Sequence, residues 1–362
     1  MKQTINIFLI IYVAILMYSC SDWTDMEQAR HTDLTEIAKS ETFYENLREY
    51  KKSDHSVAFG WFGGWTGGDA SMVSSLKGLP DSVDFVSIWG GWDVMTPEKK
   101  LDMEYVQQKK GTKILFCFII ANIGDQLTPV EVRNNYEENG FATEEEAVKD
   151  YWGWKDEEPE TIELAIKKYA NAICDIIDEF GYDGFDIDYE PHYGGHGNMA
   201  SYGKRMLLLI QTMRSRLGED KMLVLDGQPD IIPSESGPLL DYFIVQAYDS
   251  PGYKDLDSRL KSTIKNFEGY LTPEEVANRY IVTENFEKYA QSGGRPDYVD
   301  QQGNKMPSVE GMARWTPIIN GKKVRKGGVG TYHMEYEYTI SGKEGTYPAL
   351  RNAIRIMNPP II

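Results

Sequence analysis

Eight short apolar runs alternate with helix-like segments along this chain, and that alternation limits its fold more than any other feature. The runs are Val57–Phe62, Val83–Trp89, Lys113–Ile120, Gly184–Tyr189, Met222–Asp226, Tyr242–Tyr248, Tyr280–Thr283 and Gly328–Met334. Several are near-continuous in apolar residues, the pattern of parallel strands covered on their outer face by helices. The helical period is clearest over Thr161–Phe180, where Ile162, Ile166, Tyr169, Ile173, Ile176 and Phe180 recur every three or four residues. Gly181 follows as a left-handed terminator. A second helix is expected over Met199–Leu217, with Met206, Leu209, Ile210, Met213 and Leu217 on one stripe. Eight strands alternating with helices predict an α/β fold, a (β/α)8 TIM barrel forming a single catalytic domain over residues 53–362. A doubly wound open sheet is the alternative.

Two long connections break the spacing, Asn122–Glu158 and Gln291–Lys326. The first carries Glu144-Glu145-Glu146, expected on a solvated helix, and the second is rich in Gly and Pro and reads as a loop excursion. Both follow strands, so both are expected at the rim of the barrel's catalytic face.

The N-terminus is a leader. Residues 1–20 hold a short apolar run from Ile5 to Met17 and end in Tyr18-Ser19-Cys20, the layout of a secretory signal. The Cys resembles a bacterial lipoprotein cleavage site, so Cys20 is the expected lipidation site, with a plain signal peptide as the alternative. The acidic stretch after it is similar to surface-export signals of Bacteroidetes lipoproteins, which implies an outer-membrane, cell-surface location. Residues 21–52 then form a tether and an N-terminal helix over Thr32–Lys52, with Thr32 and Asp33 as candidate caps.

Composition narrows the partners. A formal net charge of −18 opposes nucleic acid or an anionic membrane face, since phosphate contacts need clustered Lys and Arg. Membrane contact is expected only through the lipid anchor, and a monomer is expected. Cys117 and Cys174 lie within strand-like and helix-like runs and read as buried thiols. No Cys/His cluster has ligand spacing and no glycine motif cradles phosphate, so neither metal nor cofactor is expected.

The chemistry concentrates in Asp183-Gly184-Phe185-Asp186-Ile187-Asp188-Tyr189-Glu190. At the period of a strand, Asp186, Asp188 and Glu190 share one face, and successive members rise by about 6.6 Å. A buried row of like charges is costly unless protons are shared within it, and sharing raises the outer acid toward the range a general acid needs. Glu190 sits furthest toward the mouth. A calcium loop is the alternative reading, but the interleaved Phe185, Ile187 and Tyr189 do not suit one.

This stretch resembles the DGxDxDxE signature of glycoside hydrolase family 18, which includes chitinases, endo-β-N-acetylglucosaminidases and inactive carbohydrate-binding relatives. The resemblance implies substrate-assisted retaining hydrolysis, an exception to the two-carboxylate scheme. It implies Glu190 as the acid, Asp188 as the partner of the substrate's 2-acetamido group, Asp186 as proton reserve and Asp183 as support. Gln246-Ala247-Tyr248-Asp249 is similar to the family's x-Tyr-Asp element, which places Tyr248 in the catalytic set and Gln246 on the substrate.

Asp226, Gln228 and, less strongly, Asn285 are further substrate-binding candidates at strand ends. Two departures from chitinases bear on the substrate. The third strand lacks Ser-x-Gly-Gly, and Tyr332 stands where chitinases place a Trp under the sugar. Both lean toward an endo-β-N-acetylglucosaminidase acting on the chitobiose core of N-glycans, with chitinase and an inactive glycan-binding protein as alternatives. The expected partner is an N-acetylglucosamine-containing glycan or glycoprotein. Trp61, Phe62, Trp65, Trp89 and Trp92 are candidates for lining its groove.

Overall fold

The computed structural model describes residues 39–68 and 71–359. The expected leader, the expected lipidation site Cys20 and the candidate caps Thr32 and Asp33 lie outside them. Eight parallel strands close into one barrel in chain order: β1 (Val57–Gly63), β2 (Phe85–Trp89), β3 (Lys113–Ile119), β4 (Gly184–Tyr189), β5 (Met222–Gly227), β6 (Phe243–Val245), β7 (Tyr280–Asn285) and β8 (Gly328–Tyr332). Closure comes from β8 pairing with β1, Val57 standing opposite Gly328. This is a (β/α)8 barrel, and the open-sheet alternative is excluded.

Strand parity divides the core in two. Phe185, Ile187 and Tyr189 of β4 point outward and pack under Tyr169, Ile173 and Ile177 of the helix Pro159–Phe180. That helix starts on a proline, whose missing N–H costs nothing there, and ends at Gly181 with φ 81°. The inner layer holds Phe59, Phe85, Leu115, Val224, Ile244 and Ile281. Burying each such side chain contributes about 1.5–3 kcal/mol, so the barrel's lower interior is a packed plug and chemistry is confined to the mouth.

The N-terminal helix is observed over Glu41–Lys52, its Ser40 hydroxyl accepting from Phe43 N at 3.2 Å. It covers the barrel's lower end: Lys51 Nζ donates to Val83 O at 2.6 Å and to Thr112 Oγ1 at 2.8 Å. Cys117 and Cys174 are buried and free.

Three of the elements that differ from the sequence reading do so for a visible physical reason. The helix expected from Met199 begins at Gly203, because the Met199 and Ala200 amides both donate to Ala121 O and tie that segment to the loop after β3. The sixth strand stops at Val245, where Ala247 N turns back onto Val245 O at 2.8 Å. Residues 291–326 are an ordered insertion: two hairpins, Tyr298–Val299 with Lys305–Met306 and Ile318–Ile319 with Lys322–Lys323, flank the helix Ser308–Arg314.

Candidate active site

β4 spreads its acids along the barrel axis. Asp183, just before the strand, lies at the lower end, where its Oδ2 accepts from Ile114 N at 2.9 Å and Gln107 Nε2 at 2.8 Å, and its Oδ1 pairs with Lys113. It ties β3 to β4 and stands apart from the other acids.

Asp186 is fully buried inside the barrel. Its Oδ2 accepts from Ser87 Oγ at 2.7 Å and Trp61 Nε1 at 3.0 Å. Burial raises its carboxyl to about 6, while Ser87, Asp226 and Trp61 oppose the rise. From the ordinary 3.8, that shift favours the protonated form by about 3 kcal/mol.

Asp188 lies one step higher, in register with Asp226 of β5. Burial, then the charges of Glu190 and Asp186, push Asp188 well above its ordinary value. Asp226 is 1% exposed and is raised in the same way by burial, Asp188 and Asp186. Among the described residues, neither Asp186 Oδ1 nor Asp188 Oδ1 receives a hydrogen bond. Oxygens facing other carboxylates in a dry interior need protons between them. Asp226 is therefore a fourth member of the acid cluster. The expectation that it meets substrate at the mouth is corrected by its depth.

Gln246, inward on the chain leaving β6, joins the outer acid to the β5 acid: its Nε2 donates to Glu190 Oε1 and to Asp226 Oδ1, the latter at 2.9 Å. The Glu190 backbone is fixed too, its carbonyl accepting from Tyr193, Gly194 and Gly195 amides at 3.1, 3.0 and 2.6 Å. Gly227, at φ 95°, lets β5 pass close by, since a Cβ there would lie 2.4 Å from Tyr189 O.

After the turn at Ala247, Tyr248 stacks on Tyr332 with centroids 6.0 Å apart. Burial, then Asp226, Asp188 and Glu190, raise the Tyr248 phenol well above its ordinary value, so it stays a neutral donor at physiological pH. Tyr332 is pushed up to about 12, mainly by burial, and lies 5.6 Å from Trp89. Trp89 is 39% exposed, whereas Phe62, Trp65 and Trp92 are buried in the outer core and line no groove. Asn285 caps the short helix after β7, its Oδ1 accepting from Glu287 N at 2.8 Å. Gln228 lines a cavity of about 650 Å³ together with Glu190, Tyr193, Gln246, Tyr248 and Arg259.

Asp188, Glu190 and Asp226 bring one oxygen each within 4.8 Å of one another, a spacing compatible with a cation. The Gln246 amide nitrogen already donates to two of the three acids, and buried unpartnered oxygens fit shared protons.

Residues 24–356 match the model of glycoside hydrolase family 18, BT1044-like. The chain belongs to glycoside hydrolase family 18. This family 18 glycosidase is 34% identical to the solved structure BT1044SeMet E190Q, with 88% of this chain and 93% of that one covered and a TM-score of 0.75. It is related at low identity to endo-β-N-acetylglucosaminidases. It shares 24% identity over 335 residues with endo-β-N-acetylglucosaminidase F2 of Elizabethkingia meningoseptica, covering 87% of this chain and 85% of the relative. An endo-β-N-acetylglucosaminidase from Cordyceps militaris has the same fold at 20% identity, with 90% and 98% covered and a TM-score of 0.55.

Several residues of this glycosidase's site escaped the sequence reading. Ser87 had a signal, its inward parity on the second strand. Trp61 was expected only as a groove-lining aromatic, and no sequence pattern singled out Gly195 or Gly227. Their roles depend on close approach of β1, β2 and β5 to β4.

Proposed function

We propose that this glycosidase is an endo-β-N-acetylglucosaminidase that cuts the β-1,4 bond of the chitobiose core of N-glycans by substrate-assisted retaining hydrolysis. The observation that carries the reading is the placement of Glu190: it opens on the 650 Å³ cavity and is bound by Gln246, with the proton-bearing Asp188 beneath it. The relative named endo-β-N-acetylglucosaminidase F2 supports the choice of substrate.

In the first step Glu190 gives its proton to the glycosidic oxygen as the C1–O bond breaks. The carbonyl oxygen of the substrate's 2-acetamido group attacks C1 and forms an oxazolinium ion. Asp188 passes its proton to Asp186 and, now a carboxylate, accepts a hydrogen bond from the acetamido N–H and balances the new charge, while Asp186 and Asp226 hold the protons of the cluster. The Tyr248 hydroxyl offers a donor to the acetamido oxygen, and Gln246 reaches it only by giving up its bond to Glu190 or Asp226. In the second step water attacks C1 as the C1–O bond of the oxazolinium breaks and restores the 2-acetamido group, Glu190 takes the water's proton, and the β-anomer leaves. Tyr332, and Trp89 beyond it, supply faces for sugar rings, and Gln228 offers an amide in the cavity on which Glu190 opens.

The test is Glu190→Gln on a high-mannose glycoprotein, with released glycans read by mass spectrometry. Loss of general acid catalysis lowers the rate by about 10²–10⁴-fold. Release at the wild-type rate would remove Glu190 from its role. Cleavage of soluble chitooligosaccharides alone would favour a chitinase, and binding without hydrolysis a glycan-binding protein.

We also propose that Cys20 is lipidated after export and anchors a monomeric enzyme at the cell surface, a reading supported by the leader sequence. Labelling cells with a radioactive fatty acid tests it, and label retained in Cys20→Ala would overturn it.

A further inference from the structure

Asp249 directly follows Tyr248, and its backbone is left-handed at φ 60°. A non-glycine residue holds that conformation only when its surroundings over-determine it. Here they do. The Asp249 amide donates to Glu284 Oε1 at 3.0 Å, and its carbonyl accepts from Arg295 Nη1 at 2.9 Å. Its carboxylate accepts from Lys288 Nζ at 2.7 Å and from the Tyr289 hydroxyl.

Two of these groups, Glu284 of β7 and Arg295, are tied together by Ser308 of the 291–326 insertion. Ser308 Oγ donates to Glu284 Oε2 at 2.5 Å and accepts from Arg295 N at 2.9 Å, while Ser308 N donates to Arg295 O at 2.8 Å. Gly294 permits this approach, for a Cβ there would lie 2.2 Å from Ser308 Oγ. Slightly further along, Val299 N donates to Pro251 O at 3.0 Å. Since β6 ends at Val245, the sheet itself gives Tyr248 no ladder. The insertion takes over that task.

We propose that the 291–326 insertion is the positioning element for Tyr248: Arg295 and the Ser308–Glu284 pair grip the Asp249 peptide and so hold the phenol over the acid cluster. Arg295, Ser308 and Glu284 are positioning residues, acting through the backbone. The proposal rests on the reading of Tyr248 as a substrate-contacting donor only where it predicts rates.

The experiment places a 3-fluorotyrosine at position 248 of the full chain and follows its fluorine resonance in the wild type, Arg295→Met and Ser308→Ala. Two variants are used so that a failure of one to fold leaves the other to decide. Expected are a shifted or broadened resonance in each folded variant, partial return in Arg295→Lys, and a kcat about tenfold lower with KM within about twofold. In a Tyr248→Phe background the same substitutions lose most of their effect on kcat, as coupled sites do. An unmoved resonance overturns the positioning role whatever the kinetics. A moved resonance with wild-type kcat in Tyr248→Phe leaves the clamp standing and removes the phenol from the mechanism.

Discussion

Asp188 and Asp226 stand directly opposite each other on β4 and β5, two carboxylates in one dry interior, both raised well above their ordinary values by burial first. Such a pair titrates as a unit, and at least one proton stays in the folded barrel at neutral pH.

That relationship makes stability depend on pH. Carboxyls raised in the folded state stabilise it fully below their unfolded value of 3.8, and the contribution is lost as pH rises through the folded values. For Asp186 the window runs from 3.8 to about 6, and Asp188 and Asp226 continue the loss above it. Thermal melts from acid to pH 8 are expected to fall across that range. Asp226→Asn should flatten the fall and raise the pH 8 midpoint by at least about 2 °C, while costing activity.

Ser87 Oγ holds the Asp186 carboxylate at 2.7 Å. A hydrogen bond to a charged group is worth about 1.5–3 kcal/mol, equivalent to about 1–2 pH units. In Ser87→Ala the limb of the kcat/KM profile governed by the cluster is expected to move upward by about one unit, with KM unchanged. A superimposable profile would separate Asp186 from the titrating group.

Gly227→Ala meets two barriers at once, a positive φ of 95° and a Cβ 2.4 Å from Tyr189 O. Strain of this kind costs about 1–3 kcal/mol. The added Cβ also comes within 3.2 Å of Glu190 Cγ, so kcat and the urea midpoint should fall together. Full activity with reduced stability would show that Glu190 is indifferent to β5.

Trp89 continues the aromatic face from Tyr332 at 5.6 Å and is 39% exposed. Loss of one stacking face, at about 0.5–1.5 kcal/mol, predicts a KM about 2- to 10-fold higher for an N-glycan in Trp89→Ala. The melting temperature should barely change. An unaltered KM would place the glycan elsewhere along the mouth.

Period-2 parity was enough to put Asp186, Asp188 and Glu190 on one wall, because β4 is a regular strand whose side chains must alternate. It failed at the sixth strand, where the apolar run Tyr242–Tyr248 continues past the point at which the Val245–Ala247 turn leaves the sheet. It could not separate Trp89 from Trp92: both lie near one strand end, yet Trp92 turns into the core against Phe116 and Phe118. Asn285 looked like a mouth residue, but a nearby free amide gave its side chain a local partner.

Alternation of apolar runs with helical stripes determined the barrel, and the spacing of acids within one run determined which strand carries the chemistry. Both are local, repeating signals that each segment encodes alone. Only the tertiary structure decided that Asp226 joins the acids, that Ser87 and Trp61 support Asp186, that Gln246 reaches Glu190, and that residues 291–326 meet Asp249. Those contacts join residues far apart in the chain and arise from barrel closure and strand register, quantities that no single segment carries.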